Sequence, residues 1–168
     1  MNIVLIGFMG AGKTAVGRLL AAELKLDYLD TDQLIEETEG RTIAQIFKRD
    51  GETAFRRLET EVLKTLQDYD NFVLSTGGGM VLRAENVALL KALGPVVLLR
   101  ASAEVIYQRI KDEKHRPLLD VADPLAEIRQ VLAVREPLYD RAADHLVETA
   151  DLTPAGVAKE ISEWLRSK

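Results

Sequence analysis

The stretch Gly7–Thr14 contains the residues of this chain whose types and spacing are best suited to chemistry. It reads Gly-Phe-Met-Gly-Ala-Gly-Lys-Thr and fits the phosphate-loop pattern G-x-x-x-x-G-K-S/T at every position. The glycines allow a tight curl whose backbone N–H groups point at a polyphosphate. Lys13 can then reach the β- and γ-phosphates, and the Thr14 hydroxyl can ligate Mg²⁺.

The segments on both sides of this loop support the interpretation. Asn2–Ile6 is a short apolar run typical of a buried strand, and Val16, Leu19, Leu20 and Leu24 recur on one face of a helix. The alternative is a glycine-rich turn that binds nothing, which the strand before the loop and the helix after it disfavour. The loop therefore predicts that the chain binds a nucleoside triphosphate.

Two carboxylates directly follow a predicted strand. Asp30 and Asp32 come after Tyr28–Leu29, and residues two apart in an extended segment project to the same side. Both are expected to face the carboxyl ends of the strands, where open α/β sheets place ligands and where an acidic residue can orient the water shell of a metal. Alternatively, Asp32 only caps the helix that begins at Gln33. Both interpretations stay open.

An Arg–Glu pair and a run of glycines are further candidates. Arg56 and Glu59 lie three apart on a helix, either as a surface ion pair or as a rigid guanidinium that recognises a carboxylate through two hydrogen bonds. Gly77, Gly78 and Gly79 follow another predicted strand. Three glycines in a row indicate a close backbone approach to a ligand, unusual dihedral angles or a plain loop.

The elements that position these residues alternate between strands and helices. The predicted strands are Asn2–Ile6, Tyr28–Leu29, Phe72–Ser75, Val96–Arg100 and His145–Glu148. Helices are predicted near Thr14–Leu24, Gln33–Glu39, Ile43–Arg49, Glu52–Gln67, Ala84–Leu93, Glu104–Lys111, Leu125–Arg135 and Pro154–Arg166. This alternation favours an α/β fold with a parallel sheet.

The segment Asp112–Asp123 does not fit the alternation. It is charged, interrupted by Pro117 and weakly periodic, so it is either a connecting loop or, in a phosphoryl-transfer enzyme, a lid. Arg116 lies within it. Arg109 and Arg135 lie in helical patterns and, taken individually, are expected to be solvated.

Composition limits the class of protein. The 168 residues are 47% apolar and 29% charged, as in an ordinary globular domain, and the net charge of −5 argues against a nucleic-acid partner. The absence of cysteine excludes disulfides and thiolate metal sites, and His115 and His145 have no partner at metal-ligand spacing.

No apolar run approaches membrane-spanning length and the chain opens directly into a core strand, so we expect a cytoplasmic protein. No heptad or spare apolar face points to an oligomer, and we expect a monomer.

Taken together, the motifs resemble the shikimate kinase family over nearly the whole chain. They are, in order, Gly7–Thr14, Asp30–Asp32, Phe55–Glu59, Gly77–Gly79, Arg116–Leu119 and Arg135–Tyr139. The resemblance implies one P-loop kinase domain over residues 1–168, with a three-layer α/β fold and a five-stranded parallel sheet of order 2-3-1-4-5. It implies a substrate-binding region at about residues 32–60 and a mobile lid at about residues 112–123. It also implies transfer of the γ-phosphoryl group of ATP to the 3-hydroxyl of shikimate, with Mg²⁺, in aromatic amino-acid biosynthesis.

The resemblance further implies roles for individual residues. ATP would bind at Gly10, Ala11, Gly12, Lys13, Thr14, Ala15, Arg109, Arg116 and Pro154. Shikimate would bind at Asp32, Arg56, Gly77, Gly78, Gly79 and Arg135. The catalytic residues would be Lys13, Asp32, which assists the attacking oxygen, and Arg116, which closes over the phosphates. Mg²⁺ would be held by Thr14 and, through water, by Asp30.

Two positions depart from the family pattern. Ala15 stands where many members have a second hydroxyl residue, and Leu152 lies in a late loop where some members have a basic residue. Purine contacts are therefore less well defined than phosphate contacts. The alternatives are another small-metabolite kinase, such as a gluconate or nucleoside monophosphate kinase, and a noncatalytic nucleotide-binding regulator. The combination of Asp32, Arg56, Gly77–Gly79 and Arg135 favours a small carboxylate with vicinal hydroxyls as the acceptor over those of the other kinases. The presence of all these residues also disfavours a regulator, because such proteins tend to lose them.

Overall fold

A five-stranded parallel sheet forms the centre of the computed structural model, which describes residues 1–113 and 116–168. The strands are β1 (Ile3–Ile6), β2 (Asp27–Asp30), β3 (Phe72–Ser75), β4 (Val96–Arg100) and β5 (His145–Glu148). The described helices are α1 (Lys13–Leu24), α2 (Thr31–Glu39), α3 (Ile43–Leu66), α4 (Ala84–Leu93), α5 (Ala103–Ile110), α6 (Pro124–Ala142) and α7 (Pro154–Arg166). All strand pairs are parallel and the order is β2-β3-β1-β4-β5.

Alternating side chains along the strands build a core on both faces of the sheet. Ile3 and Leu5 of β1 pack with α1 and α7, whereas Val4 and Ile6 pack on the other face with α3, α4, α5 and α6. All four side chains are fully buried. Because both faces are covered, the strands read as continuous apolar runs, and their carboxyl ends meet at one edge of the sheet. That edge is where the candidate residues are expected.

Helix α6 is longer than the sequence predicts. It continues past the predicted end at Arg135 to Ala142, although Pro137 lies inside it. An interior proline lacks an N–H donor and clashes with the preceding turn, which is the reason to expect a helix end there. Burial of Tyr139 and Ala142 in the core outweighs this local cost.

Helix α3 joins two helices that the sequence separates. Its kink is at Gly51, whose φ of 84° lies in the left-handed region that favours glycine. Residues on both sides of the kink, Ile46 before it and Phe55 after it, form a small cluster with Ile35 of α2. No helix within the described ranges is both long and apolar enough to cross a membrane.

Candidate active site

The phosphate loop Gly7–Thr14 (the P-loop) connects β1 to α1 and leaves the start of α1 open to a ligand. Gly12 occupies the N-cap position with φ of 100°, a conformation that side chains rarely adopt. Among the described residues, no side chain caps α1. The first N–H groups of the helix are therefore free to bind an anion, with the helix dipole favouring negative charge.

The Lys13 ammonium is held by the loop itself. It donates hydrogen bonds to the carbonyl oxygens of Gly7 at 2.6 Å and Phe8 at 2.9 Å. Burial lowers the pKa of Lys13 to about 8, although the charges of Asp32 and Asp30 act in the opposite direction. Phosphate oxygens can replace the carbonyls as partners of this ammonium.

A cavity of about 410 Å³ opens beside the P-loop, at the carboxyl ends of the strands. Its described lining is mostly polar and consists of Met9, Gly10, Gly12, Lys13, Thr14, Ala15, Asp30, Asp32, Ser75, Thr76, Gly77, Gly78 and Arg116. A second cavity of about 370 Å³ lies between α2, α3 and β2 and is lined largely by aliphatic side chains, with none of the predicted site residues. The polar cavity is therefore the candidate active site.

Asp30, not Asp32, caps helix α2. The Asp30 Oδ1 accepts hydrogen bonds from the amides of Asp32 at 2.9 Å and Gln33 at 3.3 Å, and the helix begins at Thr31. The interpretation of Asp32 as the cap is therefore wrong, as is the assumption that both carboxylates lie on one extended segment. Both nevertheless line the cavity, because β2 turns into α2 without an intervening loop.

One oxygen of the Asp32 carboxylate is buried. This oxygen, Oδ1, accepts no hydrogen bond from the described residues. Burial, followed by the charge of Asp30, raises the pKa of Asp32 above its ordinary value. A buried polar atom without a partner is costly, so a ligand hydroxyl that donates to it would be stabilised.

Arg56 and Glu59 form a buried ion pair. Arg56 Nη1 lies 2.6 Å from Glu59 Oε1, and the two side chains are 15% and 0% exposed, so the surface-pair interpretation is wrong. Burial raises the pKa of Glu59 despite the neighbouring charge of Arg56. Arg56 Nε and Glu59 Oε2 have no hydrogen-bond partner in the described part of the chain, so this pair still has hydrogen-bonding capacity for a ligand.

Charged side chains of this chain occupy the space that side chains at Gly77–Gly79 would need. A Cβ on Gly77 would lie 3.0 Å from Asp32 Oδ1 and 3.1 Å from Glu59 Oε2. A Cβ on Gly78 would lie 3.3 Å from Arg135 Nη1. A Cβ on Gly79 would collide with the Arg56 guanidinium. None of the three glycines has a left-handed φ. Close approach, rather than unusual dihedral angles or a plain loop, explains them.

The two arginines that were predicted to be solvated both make specific contacts, but Arg109 is exposed, as predicted, whereas Arg135 is half-buried. Arg109 donates to the carbonyl oxygen of Gly10 at 3.0 Å and to the hydroxyl and carbonyl of Thr149, each at 3.1 Å. The Arg135 guanidinium lies 5.6 Å from the centre of the Phe8 ring. Arg109 therefore ties the P-loop to the end of β5, and Arg135 packs against it. Pro154 is the first residue of α7 and is exposed.

The predicted lid lies only partly within the described residues. Lys114 and His115 fall outside them, so the expectation for His115 has no counterpart there. The rest contains a 3-10 turn at Pro117–Leu119, whose two leucines pack against the main core. Arg116 lines the cavity and forms an ion pair with Glu113. His145 stacks on Trp164, with ring centroids 4.5 Å apart, as expected of a structural residue.

Sequence reasoning missed two polar residues of the cavity. Ser75 and Thr76 line it, and the Ser75 hydroxyl donates to the Lys13 carbonyl at 3.0 Å. Their position at the carboxyl end of a strand, directly before the glycines, was the signal that could have identified them.

The oxygen donors of the cavity fit a magnesium ion that is bound together with a phosphate. The Thr14 hydroxyl and the Asp30 carboxylate both line the cavity, and Mg²⁺ commonly takes one or two protein oxygens and completes its shell with water and phosphate. Within residues 1–113 and 116–168, no group of three or more His, Cys, Asp or Glu side chains forms a metal site without such help.

Comparison with known proteins agrees with this geometry. A protein-family model described as shikimate kinase matches residues 9–166. The chain belongs to the shikimate kinase family. The shikimate kinase of Pelotomaculum thermopropionicum is 48% identical over 98% of this chain and 95% of its own length. Members of the shikimate kinase family are ATP-dependent small-molecule kinases, and so is this chain.

Solved shikimate kinase structures share the fold. A shikimate kinase from Acinetobacter baumannii in complex with shikimate has a TM-score of 0.94 at 43% identity, covering 99% of this chain and 93% of that one. The Aquifex aeolicus shikimate kinase has a TM-score of 0.87 at 41% identity, covering 99% and 97%. The predicted α/β fold with the sheet order 2-3-1-4-5 is therefore confirmed.

Proposed function

We propose that this chain transfers the γ-phosphoryl group of ATP to the 3-hydroxyl of shikimate, giving shikimate 3-phosphate and ADP. The observation that carries the proposal is the convergence of Asp32, Arg56 and Arg135 on the turn Gly77–Gly79, beside the P-loop. Shikimate is a small carboxylate with vicinal hydroxyls. Two guanidiniums suit its carboxylate, and the partnerless Asp32 oxygen suits a hydroxyl.

ATP would lie along the P-loop with its phosphates at the start of α1. We propose that the amides of Gly10, Ala11 and Gly12 contact the phosphates and that the Lys13 ammonium exchanges its loop carbonyls for β- and γ-phosphate oxygens. Thr14 and, through water, Asp30 would hold Mg²⁺, which when bound neutralises phosphate charge. Residues flanking the rest of the nucleotide would be Ala15, Arg109, Arg116 and Pro154.

The acceptor would bind on the opposite side of the cavity. Arg56, held by Glu59, and Arg135 would bind the carboxylate together with the amides of the glycine turn. Asp32 would accept the hydrogen bond of the 3-hydroxyl and then its proton, as the oxygen bonds to the γ-phosphorus and the bond from that phosphorus to ADP breaks. Catalysis then rests on alignment and charge, with no covalent intermediate on the protein.

A coupled ADP-release assay tests the proposed reaction. ADP release should depend on shikimate, and gluconate or a nucleoside monophosphate in its place should give only background. Equal turnover with another acceptor would overturn the assignment. ATP binding without ADP release in the presence of every acceptor would identify a noncatalytic nucleotide-binding protein instead.

Arg56→Lys and Arg135→Lys should each impair the use of shikimate although they keep the positive charge. An ammonium cannot reproduce the two parallel hydrogen bonds of a guanidinium, and loss of one charge-assisted contact should cost about 1.5–3 kcal/mol. The expected change is a fall in kcat/KM for shikimate with ATP affinity nearly unchanged. Steady-state kinetics and calorimetry measure the two quantities.

Arg129→Lys provides the matched control for these variants. Arg129 pairs with Glu104 on the surface, and both side chains are 56% exposed, so its replacement should leave both quantities unchanged. Unchanged shikimate kinetics in Arg56→Lys and Arg135→Lys would remove the argument for a carboxylate clamp.

Arg116→Ala should lower kcat far more than it weakens shikimate binding. Arg116 lines the cavity near Lys13, and we propose that it moves from Glu113 to the transferring phosphoryl group when both substrates are bound. A cation supplied in this way can contribute about 10³–10⁵ in rate. Arg129→Ala is the control, and full kcat in Arg116→Ala would contradict the role.

Hydrogen exchange tests the lid independently of turnover. Residues 114–119, of which 114 and 115 lie outside the described residues, should exchange faster in the free enzyme than with nucleotide and shikimate bound, because closure excludes water from the site. The packing of Leu118 and Leu119 on the core limits how far the segment can open. Full protection of these residues without ligands would contradict a mobile lid.

We also propose that residues 1–168 act as one kinase domain, a cytoplasmic monomer. One polypeptide supplies every proposed site residue, and ATP, the proposed co-substrate, is a cytoplasmic metabolite. The proposed substrate-binding region is about residues 32–60 and the proposed lid about residues 112–123, of which 114 and 115 lie outside the described residues. Light scattering after size exclusion tests the oligomeric state.

A further inference from the structure

The glycine turn Gly77–Gly79 is held through all three of its carbonyl oxygens. Gly77 accepts a hydrogen bond from the Met80 amide and Gly79 accepts one from the Leu82 amide, each at 3.1 Å. The Gly78 carbonyl instead accepts a hydrogen bond from the Tyr139 hydroxyl, at 2.5 Å. The central carbonyl of the turn is therefore fixed by a side chain from a distant helix rather than by the turn itself.

In contrast to the carbonyl oxygens, two of the three amides of the turn have no hydrogen-bond partner within the described residues. The Gly77 amide donates to the Thr31 hydroxyl at 3.1 Å. The Gly78 and Gly79 amides have no acceptor in the described part of the chain. A Cβ on Gly78 would meet the Arg135 guanidinium and one on Gly79 the Arg56 guanidinium, so the turn itself packs against both arginines. A peptide unit is planar, so fixing the Gly78 carbonyl also fixes the Gly79 amide in the same plane. Glycine residues would otherwise leave these planes free to rotate.

Tyr139 is well suited to holding this carbonyl. Its side chain is 2% exposed, and burial raises the pKa of its hydroxyl to about 12 against the opposing charges of Arg135 and Arg56. The hydroxyl therefore remains a donor over the whole working range of pH. Lying one helical turn after Arg135, it also anchors α6 where Pro137 removes a backbone hydrogen bond.

We propose that Tyr139 is a positioning residue for the acceptor carboxylate: its hydroxyl holds the Gly78 carbonyl, which keeps the Gly79 amide in one orientation on the turn that packs against Arg56 and Arg135. This inference rests on the proposed function, because it requires the acceptor to carry a carboxylate at that point. Tyr139 itself touches neither substrate and acts through the glycine turn.

Tyr139→Phe tests the proposal, since it removes one oxygen and keeps the ring. We expect kcat/KM for shikimate to fall about tenfold, as for the loss of one buried hydrogen bond, mainly through KM. ATP affinity should stay within about twofold of the parent, because the P-loop contacts are unchanged. Tyr69→Phe, at a side chain that is 60% exposed, is the matched control.

Shikimate methyl ester separates positioning from a general structural effect. The ester lacks the carboxylate charge, so Tyr139→Phe should reduce its kcat/KM by less than about twofold while reducing that for shikimate about tenfold. The proposal would be overturned if kcat/KM fell equally for both acceptors, or if the fall in kcat/KM were proportional to the fall in melting temperature across the variants. The same comparison in the Pro137→Ala background, where α6 regains a backbone donor, serves if Tyr139→Phe alone is too unstable to assay.

The parent enzyme distinguishes failure of this inference from failure of the proposed function. A parent that prefers shikimate strongly over the ester, with no change of preference in Tyr139→Phe, would overturn only the role of Tyr139. A parent that uses both acceptors equally would overturn the carboxylate clamp, and the role of Tyr139 with it.

Discussion

Replacement of Lys13 by methionine is expected to leave less than about a tenth of parental turnover while the protein remains folded. Methionine keeps the length and apolar character of the side chain but removes the ammonium, which we assign to the β- and γ-phosphates. Within the described residues that ammonium donates hydrogen bonds to the Gly7 and Phe8 carbonyls, so its loss should affect the fold little. Circular dichroism and melting curves, together with turnover, measure the two effects.

A second measurement uses the lowered pKa of Lys13. Because that pKa is about 8 in the free enzyme, Lys13 loses its proton as the pH rises through 8, and the neutral amine binds phosphate less well. ATP affinity of the parent should therefore fall above about pH 8, and Lys13→Met should not show this fall. Lys159→Met is the control, since Lys159 is 76% exposed on α7. Turnover above a tenth of the parent would show that Lys13 lacks the assigned role.

Asp32→Asn is expected to preserve ATP binding but to reduce phosphoryl transfer strongly. The amide keeps the shape of the side chain, yet it cannot take the proton from the attacking hydroxyl, and general-base catalysis typically contributes about 10²–10⁴ in rate. Calorimetry should therefore show that the ATP affinity of this variant is nearly unchanged, whereas single-turnover kinetics should show a large fall in the rate of phosphoryl transfer. Near-normal single-turnover chemistry would exclude Asp32 as the base.

The pH dependence of the parent supports the same test. The pKa of Asp32 is raised by burial, so its carboxylate is protonated, and unable to act, at less acidic pH than an ordinary aspartate. Activity should fall as the pH is lowered towards that pKa. The pKa of Glu59 is also raised, so protonation of Glu59 contributes to the fall of activity at low pH. The residual activity of Asp32→Asn should therefore keep only the part of this pH dependence that comes from Glu59. Asp68→Asn, at an exposed position, should reproduce the parental profile.

The P-loop and the sheet were predictable from local patterns. The loop needs particular residues at fixed spacing because its backbone must curl around phosphates, and the left-handed conformation of Gly12 is consistent with the tight curl that the glycines predict. The buried parallel strands read as apolar runs because both faces are covered, and the observed strands lie within about two residues of the predicted ones. Local patterns also pointed to candidate residues such as Lys13, Asp32 and Arg56. The family resemblance supplied the strand order and the role of each residue, which local patterns do not contain.

The tertiary structure decided which alternatives were correct. Arg56 and Glu59 have the spacing of a surface pair, and only the packing of α3 against the glycine turn buries them. Asp30 caps α2 because β2 leads directly into the helix, a junction that the sequence placed two residues too late. Helix α6 passes through Pro137 because the burial of Tyr139 is a long-range gain that outweighs a local cost.

What the sequence by itself determined was therefore the chemistry that depends on neighbours along the chain: the P-loop, the strands and most helices. What only the tertiary structure decided was the set of contacts between distant residues, including Arg109 with Thr149, Arg135 with Phe8 and Tyr139 with Gly78. The physical reason is that burial and hydrogen bonding depend on which surfaces meet, whereas periodicity and spacing report only the conformation of each segment.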